Sequence, residues 1–227
     1  MLKDGDRGVV LQRDRSTYAI APHLPCGLAS PQLLRKLADV AEKYHAKAIK
    51  CTSAERIALI GLKEEDIDAA WAEFAEIGFA KPGHMTGAAV RSVKACPGTQ
   101  FCKRARQDSL TLGLELDKRY HGKALPGKLK IGVSGCANQC AETCIKDIGL
   151  VGGLRGWTVY VGGMGGSYPR LAEPLLFDEV STETALELVE KLFAYYQKNA
   201  RAGERLGELI DRLGLHTLQR DLGVPAS

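Results

Sequence analysis

The chain has 227 residues, 45% hydrophobic and 26% charged, a balance that suits a globular protein with a sizeable core and excludes a disordered or fibrous chain. No apolar run is long enough to span a bilayer and the first residues carry no apolar signal core, so the expected address is cytoplasmic, with no membrane partner. The net charge of +4 is unevenly placed: residues 91–130 hold ten Lys or Arg against Asp108, Glu115 and Asp117, leaving the remainder at −3.

In chain order, alternation in Gly8-Val9-Val10-Leu11 and Tyr18-Ala19-Ile20-Ala21 predicts two short strands. Ser30 followed by Pro31 reads as a helix N-cap and first position, with Leu33, Leu37, Val40 or Ala41, and Tyr44 on one face. Strands over 46–52 and 57–60 and a helix carrying Ile67, Trp71 and Phe74 complete a βαββα unit, a small ferredoxin-like layer of helices on a sheet. The stretch Lys81-Pro82-Gly83-His84-Met85-Thr86-Gly87 breaks the pattern, dividing the chain into 1–80 and 81–227. Beyond it a helix is expected over 102–120, strands over 129–133, 148–151 and 157–161, the glycine-rich loop Gly162-Gly163-Met164-Gly165-Gly166, and a long amphipathic helix with Leu186, Val189, Leu192 or Phe193, and Tyr196. A helical tail follows from Arg201. The fold class is α+β, a ferredoxin-like half followed by a mixed α/β domain.

Seven cysteines in a chain without an export signal point to metal or redox chemistry rather than to disulfides. Cys96 and Cys102 form a C-x5-C pair, and Cys136 and Cys140 a C-x3-C pair about thirty residues later. A zinc ribbon would show C-x2-C knuckles in both halves, whereas a 4Fe-4S cubane takes four thiolates that widely separated pairs can supply. Pro97, Gly98, Gly135, Ala137 and Asn138 are small or turn-forming neighbours that let backbone N–H groups approach the sulfur atoms. The competing reading of ordinary buried thiols holds for Cys26 and Cys51, which are assigned to the core. Cys144 follows Cys140 at helical i+4 spacing and is not taken as a ligand.

The motif C-x5-C followed by Gly135-Cys136-Ala137-Asn138-Gln139-Cys140 resembles the signature of the sirohaem-containing sulfite and nitrite reductases. The similarity runs from about Leu28 to Gly214: residues 36–76 resemble that family's ferredoxin-like half-domain, and Asp147-Ile148-Gly149-Leu150-Val151-Gly152 its strand after the second cysteine pair. The resemblance implies a 4Fe-4S cluster on Cys96, Cys102, Cys136 and Cys140, and a sirohaem joined to it through the Cys140 sulfur. It places Arg91, in Arg91-Ser92-Val93, and Lys128 and Lys130, in Lys128-Leu129-Lys130, at the substrate and sirohaem pocket. The glycine loop containing Gly163 resembles the family's haem-side loop. An arginine of a T-x-R-Q segment is missing, with Ala54 in its place, and Arg56 is the candidate substitute.

Both sirohaem, an octacarboxylate, and a small oxyanion need cationic walls: two unit charges about 4 Å apart interact by ~4 kcal/mol at an effective dielectric near 20. The Lys-x-Lys pair resembles sulfite reductases, while Thr99-Gln100-Phe101-Cys102 is closer to the nitrite enzymes. The expected reaction is six-electron reduction of sulfite to sulfide, with nitrite reduction to ammonia as the alternative and a non-catalytic iron-sulfur/haem electron carrier or redox sensor as a third reading. With no second cluster box and no convincing dinucleotide fingerprint, electrons are expected from another protein, ferredoxin-like or a cytochrome. The basic run lacks interleaved aromatic residues, so no nucleic acid is expected. Full-size family members carry two copies of the half-domain and catalytic unit, and this chain carries one. The site is then completed either within one chain or across a C2 homodimer in which Lys128 and Lys130 of one copy serve the Cys140 site of the other.

Overall fold

The computed structural model describes residues 1–79, 82, 86–176 and 178–225. The chain divides into two compact units, Met1–Gly87 and Ala88–Ser227. Within the boundary stretch read from the sequence, Lys81, Gly83, His84 and Met85 lie outside the described residues.

In the first unit, β1 (Val10–Leu11), β2 (Tyr18–Ile20), β3 (Ala48–Cys51) and β4 (Ile57–Leu62) form an antiparallel sheet in the order β1-β2-β4-β3. Helix α1 (Pro31–Lys43) starts as its sequence dictates: Ser30 Oγ accepts the Leu33 N–H at 3.1 Å, and Pro31 occupies a position whose missing N–H costs nothing. Its buried face is Leu33, Leu37, Val40 and Ala41. These residues share one core with Tyr18, Ile20, Leu59 and Leu62 of the sheet and with Ile67, Ala70 and Phe74 of α2 (Ile67–Ala75). Cys26 is buried, but Cys51 is exposed. The core assignment of Cys51 is therefore corrected: it ends β3, an edge strand whose four residues are all exposed.

The second unit is built on a five-stranded mixed sheet ordered β5 (Lys94–Ala95), β6 (Ile131–Ser134), β7 (Ile148–Gly152), β8 (Trp157–Val161) and β9 (Glu173–Pro174). The first three are parallel; β8 and β9 are antiparallel to their neighbours. Every residue of β6 and β7 is buried, as parallel strands covered on both faces require, and β8 alternates. Between β5 and β6 run the single turn α3 (Gly98–Phe101) and α4 (Ser109–Tyr120). The helix expected over 102–120 thus starts at Ser109. Asp108 caps it by accepting the Thr111 N–H at 3.1 Å, and the amides of Arg106 and Gln107 turn away to donate to Gly135 O. Helix α5 (Thr182–Asn199) buries Leu188, Val189, Leu192, Phe193 and Tyr196, and Phe193 stacks on Tyr120 of α4 at 4.1 Å between centroids. Helices α6 (Leu206–Leu213) and α7 (Leu215–Leu222) end the chain's ordered elements.

Candidate active site at the two ends of a parallel sheet

Both cysteine pairs leave the same end of adjacent parallel strands. Ala95 of β5 lies opposite Val133 of β6; Cys96 follows β5 directly and donates its amide to Val133 O, while Cys136 comes two residues after β6. The loops they open are tied together. The Cys96 Sγ accepts the Gly135 N–H at 3.1 Å and lies 3.1 Å from Ser109 Oγ, and the Arg106 amide donates to Gly135 O. Two glycines permit this closeness: a Cβ on Gly98, whose φ is +62°, would stand 2.8 Å from the Ser109 amide nitrogen, and one on Gly135 would stand 2.7 Å from Gln107 O.

None of the seven cysteines is in a disulfide; Cys96, Cys102 and Cys136 are half-buried and Cys140 is exposed. Among the described residues no three His, Cys, Asp or Glu side chains converge on a single metal ion. A cubane asks for something else, one thiolate at each of four separated irons, with N–H donors to sulfur. Unpaired thiols on two tied loops, one already receiving a backbone amide, meet that demand, so the donor set fits an iron-sulfur cluster. The turn after Cys136 is not helical. Gln139 and Glu142 have φ of 49° and 55°, and Cys144 sits in a short 3-10 turn over Thr143–Ile145, so the expected i+4 helical relation of Cys144 to Cys140 is replaced by a folded loop.

At the opposite end of the same strands lies a cationic cluster. Arg91 donates its amide to Leu129 O at 2.9 Å, and Val90 pairs with Leu129 in parallel register, which sets Arg91 beside the Lys128-Leu129-Lys130 segment. Val93 N–H is held by the buried Asp117 of α4 at 2.9 Å, which fixes the Arg91-Ser92-Val93 element on that helix. Leu129 is fully buried and the two lysines flanking it are half-buried on the other side, the alternation that extended backbone imposes. Burial pushes the Lys130 ammonium down to about 8, helped by Lys128, Lys146 and Arg205. Burial also lowers Lys128, with Arg205 and Arg91 adding to the effect. Asp147 faces both lysines and opposes the shift.

Sequence reasoning missed four members of this cluster. Asp147, fully buried, receives Arg205 Nε at 2.9 Å, Arg205 Nη2 at 2.6 Å and the Lys130 amide at 2.7 Å. Lys146 pairs with Glu142 at 2.9 Å, and Lys94 reaches the same carboxylate at 3.2 Å. Asp147 was visible only as part of a strand motif, and Arg205 stands in a tail with no signature. Gly163 is where a Cβ would meet Lys146 O at 2.5 Å and Cys144 O at 2.9 Å, so its loop lies backbone to backbone on the 144–146 turn. Arg56 belongs to the first unit, where its amide donates to Thr52 Oγ1 at 3.2 Å in the turn before β4 and burial lowers its guanidinium.

Four cysteine thiols on two tied loops and a set of cations on one sheet suit an iron-sulfur oxidoreductase of small anions. The 4Fe-4S domain of the nitrite and sulphite reductases matches residues 86–227, and the ferredoxin-like half domain of the nitrite/sulfite reductases matches residues 10–77; the chain belongs to that family, whose cofactors are a 4Fe-4S cluster and sirohaem. It is 37% identical to the assimilatory-type sulfite reductase of Nitratidesulfovibrio vulgaris over 96% of this chain and 98% of that protein. It is 39% identical to a nitrite reductase [NAD(P)H] of Bacillus subtilis over 95% of this chain, which spans only 26% of that larger protein. A crystal structure of dissimilatory sulfite reductase I shares the fold, with a TM-score of 0.83 at 15% identity, over 93% of this chain and 70% of that one. Among the described residues no helix is long and apolar enough to cross a membrane.

Proposed function

We propose that the protein is a sulfite reductase that reduces sulfite to sulfide by six electrons at a sirohaem coupled to a 4Fe-4S cluster. Cys96, Cys102, Cys136 and Cys140 would hold the cluster, with Cys140 the residue that would join it to the sirohaem. When bound, this cofactor pair supplies the electron transfer to the substrate sulfur. The observation that carries the reading is the cationic cluster of Arg91, Lys128 and Lys130, because an electron carrier has no use for an oxyanion pocket. Arg91 offers a planar fork for oxyanion oxygens, and Lys128 and Lys130 are compact donors that hold the anion's charge. Lys130, brought down to about 8, is matched to release a proton near neutral pH as S–O bonds break. Gly163, on the loop against 144–146, lies on the haem side. Electrons come from an external ferredoxin-like protein or a cytochrome in the cytoplasm.

A C2 homodimer is one way to complete the site, and a single chain is the other. Lys130 directly precedes β6 and Cys136 lies two residues beyond it, so extended backbone puts about 20 Å between them. The loop after Cys136 folds back along β6, so that Glu142, two residues past Cys140, meets Lys146 and Lys94, and a two-fold axis would add the lysines of a second copy to that loop.

Steady-state kinetics with a reduced dye on protein produced with sirohaem tests the reading. A higher kcat/KM for sulfite than for nitrite is expected, together with an isobacteriochlorin spectrum coupled to iron-sulfur absorption. The nitrite reading is favoured by Thr99-Gln100-Phe101-Cys102, and a reversed preference establishes it. Iron-sulfur absorption alone, with no turnover, makes the protein an electron carrier.

A further inference from the structure

We propose that Arg205 is a positioning residue for the catalytic lysines: through its two-pronged pair with Asp147 it locks the Lys128-Leu129-Lys130 segment in place and sets the electric field at the Lys130 ammonium. The inference rests on the anion-reducing role given to Lys130 above, but its geometry stands apart from that role. Asp147 has two oxygens and uses both. Oδ1 takes Arg205 Nε, and Oδ2 takes both Arg205 Nη2 and the backbone N–H of Lys130. The carboxylate is fully buried and the guanidinium nearly so, which makes the pair stiff and leaves Asp147 dependent on its partner. Burial pushes the Asp147 carboxyl up, and the Arg205 fork and the Lys130 amide oppose that rise.

A second attachment lies four residues upstream of Lys130. Gly203 donates to Pro126 O at 2.8 Å, and a Cβ on Gly127 would stand 2.4 Å from Glu204 O. Glu204 is itself held, its carboxylate gripped by Arg212 at 2.7 and 2.8 Å and its carbonyl taken by the Tyr196 hydroxyl. Arg205 then opens α6, its own amide donating to Glu208 at 2.7 Å. The turn between α5 and α6 therefore grips residues 126–130 at both ends. The charged groups facing Lys130 are Lys128, Lys146 and Arg205, which resist its protonation, and Asp147, which favours it. Removing the Asp147 charge must then lower Lys130, while removing Arg205 strips the buried carboxylate of the fork that keeps it ionised and frees the segment it holds; loss of a merely structural contact would loosen the segment without moving the Lys130 titration.

The test uses the holoenzyme and two readouts that need no turnover, so an inactive but loaded enzyme would refute the proposed function without touching this inference. Competitive labelling of Lys130 by an amine reagent, followed by mass spectrometry across pH, reports the titration of that one side chain. Hydrogen exchange of the peptide containing residues 126–130 reports its fixation. Each variant's labelling midpoint is compared with that of the wild-type holoenzyme. Asp147→Asn lowers the midpoint by about one pH unit; Arg205→Met speeds exchange in that peptide; Arg205→Lys, which keeps the charge on Asp147, leaves the midpoint near the wild-type value. Should Arg205→Met fail to accumulate as folded protein, Asp147→Asn and Arg205→Lys decide. An Asp147→Asn midpoint that does not fall overturns the proposal, as does unchanged exchange in Arg205→Met.

Discussion

The thiol of Cys96 accepts the amide hydrogen of Gly135 at 3.1 Å, although 39 residues separate the two in sequence. This bond ties the loop of the first cysteine pair to the residue that introduces the second. It also gives one cluster sulfur a backbone donor before any iron arrives, a contact that stabilises negative charge on sulfur.

Gly135→Ala should therefore damage the cluster while leaving all four thiols in place. The new Cβ would press on Gln107 O at 2.7 Å, and relief by backbone movement costs about 1–3 kcal/mol and displaces the amide from Cys96. Iron content per chain and the visible iron-sulfur absorption are expected to fall, with the far-ultraviolet circular dichroism unchanged.

Replacing a ligand acts more directly. Cys102→Ser and Cys136→Ser each remove one thiolate from the four, and purified protein should carry less than half of the wild-type iron and no dye-linked activity. Cys51→Ser, at the exposed end of β3, is the matched control and should keep both.

The homodimer is tested by complementation. A Lys128→Met/Lys130→Met chain and a Cys140→Ala chain are each inactive alone. If every site takes its lysines from one copy and its cysteines from the other, random mixing makes half the dimers mixed, each with one intact site, and restores about a quarter of wild-type activity. Mixtures that stay inactive while sedimentation velocity shows an active wild-type monomer would put the whole site in one chain.

The pH dependence follows from Lys130. Its charged form binds the anion and gives up the proton, and that form is lost as pH rises through about 8, so kcat/KM for sulfite should fall along an alkaline limb near that value. Lys130→Arg keeps a cation at all accessible pH and should flatten the limb in anion affinity. The folded pKa lies below the unfolded value near 10.4, so between about pH 8 and 10.4 the unfolded chain binds the extra proton and folding stability rises with pH; below 8 the full cost of the buried charge is present. Lys130→Met removes that cost and, after allowance for partial exposure, should stabilise the protein at pH 7 by about 1–2 kcal/mol, read as a higher Tm, while abolishing activity.

Local chemistry in the chain was enough to place most of the elements and to single out the cysteine spacing and the Lys-x-Lys pair as candidate site residues. Ser30 and Pro31 specify the start of α1 because a cap depends only on neighbours a turn away, and the spacing Cys96, Cys102, Cys136, Cys140 carries cluster chemistry because a thiolate's softness does not depend on fold. The start of α4 was misplaced by seven residues, since the amides of Arg106 and Gln107 are claimed by Gly135, a partner no local window contains. Cys51 looked like core because its strand is apolar enough, and only the strand order put it on an exposed edge. Tertiary structure alone decided that Cys96 and Cys136 follow one end of the parallel strands while Lys128 and Lys130 precede the other, and that Asp147 and Arg205, 58 residues apart, govern Lys130. Burial and the field of distant charges are set by what packs around a side chain, and sequence spacing holds no record of that.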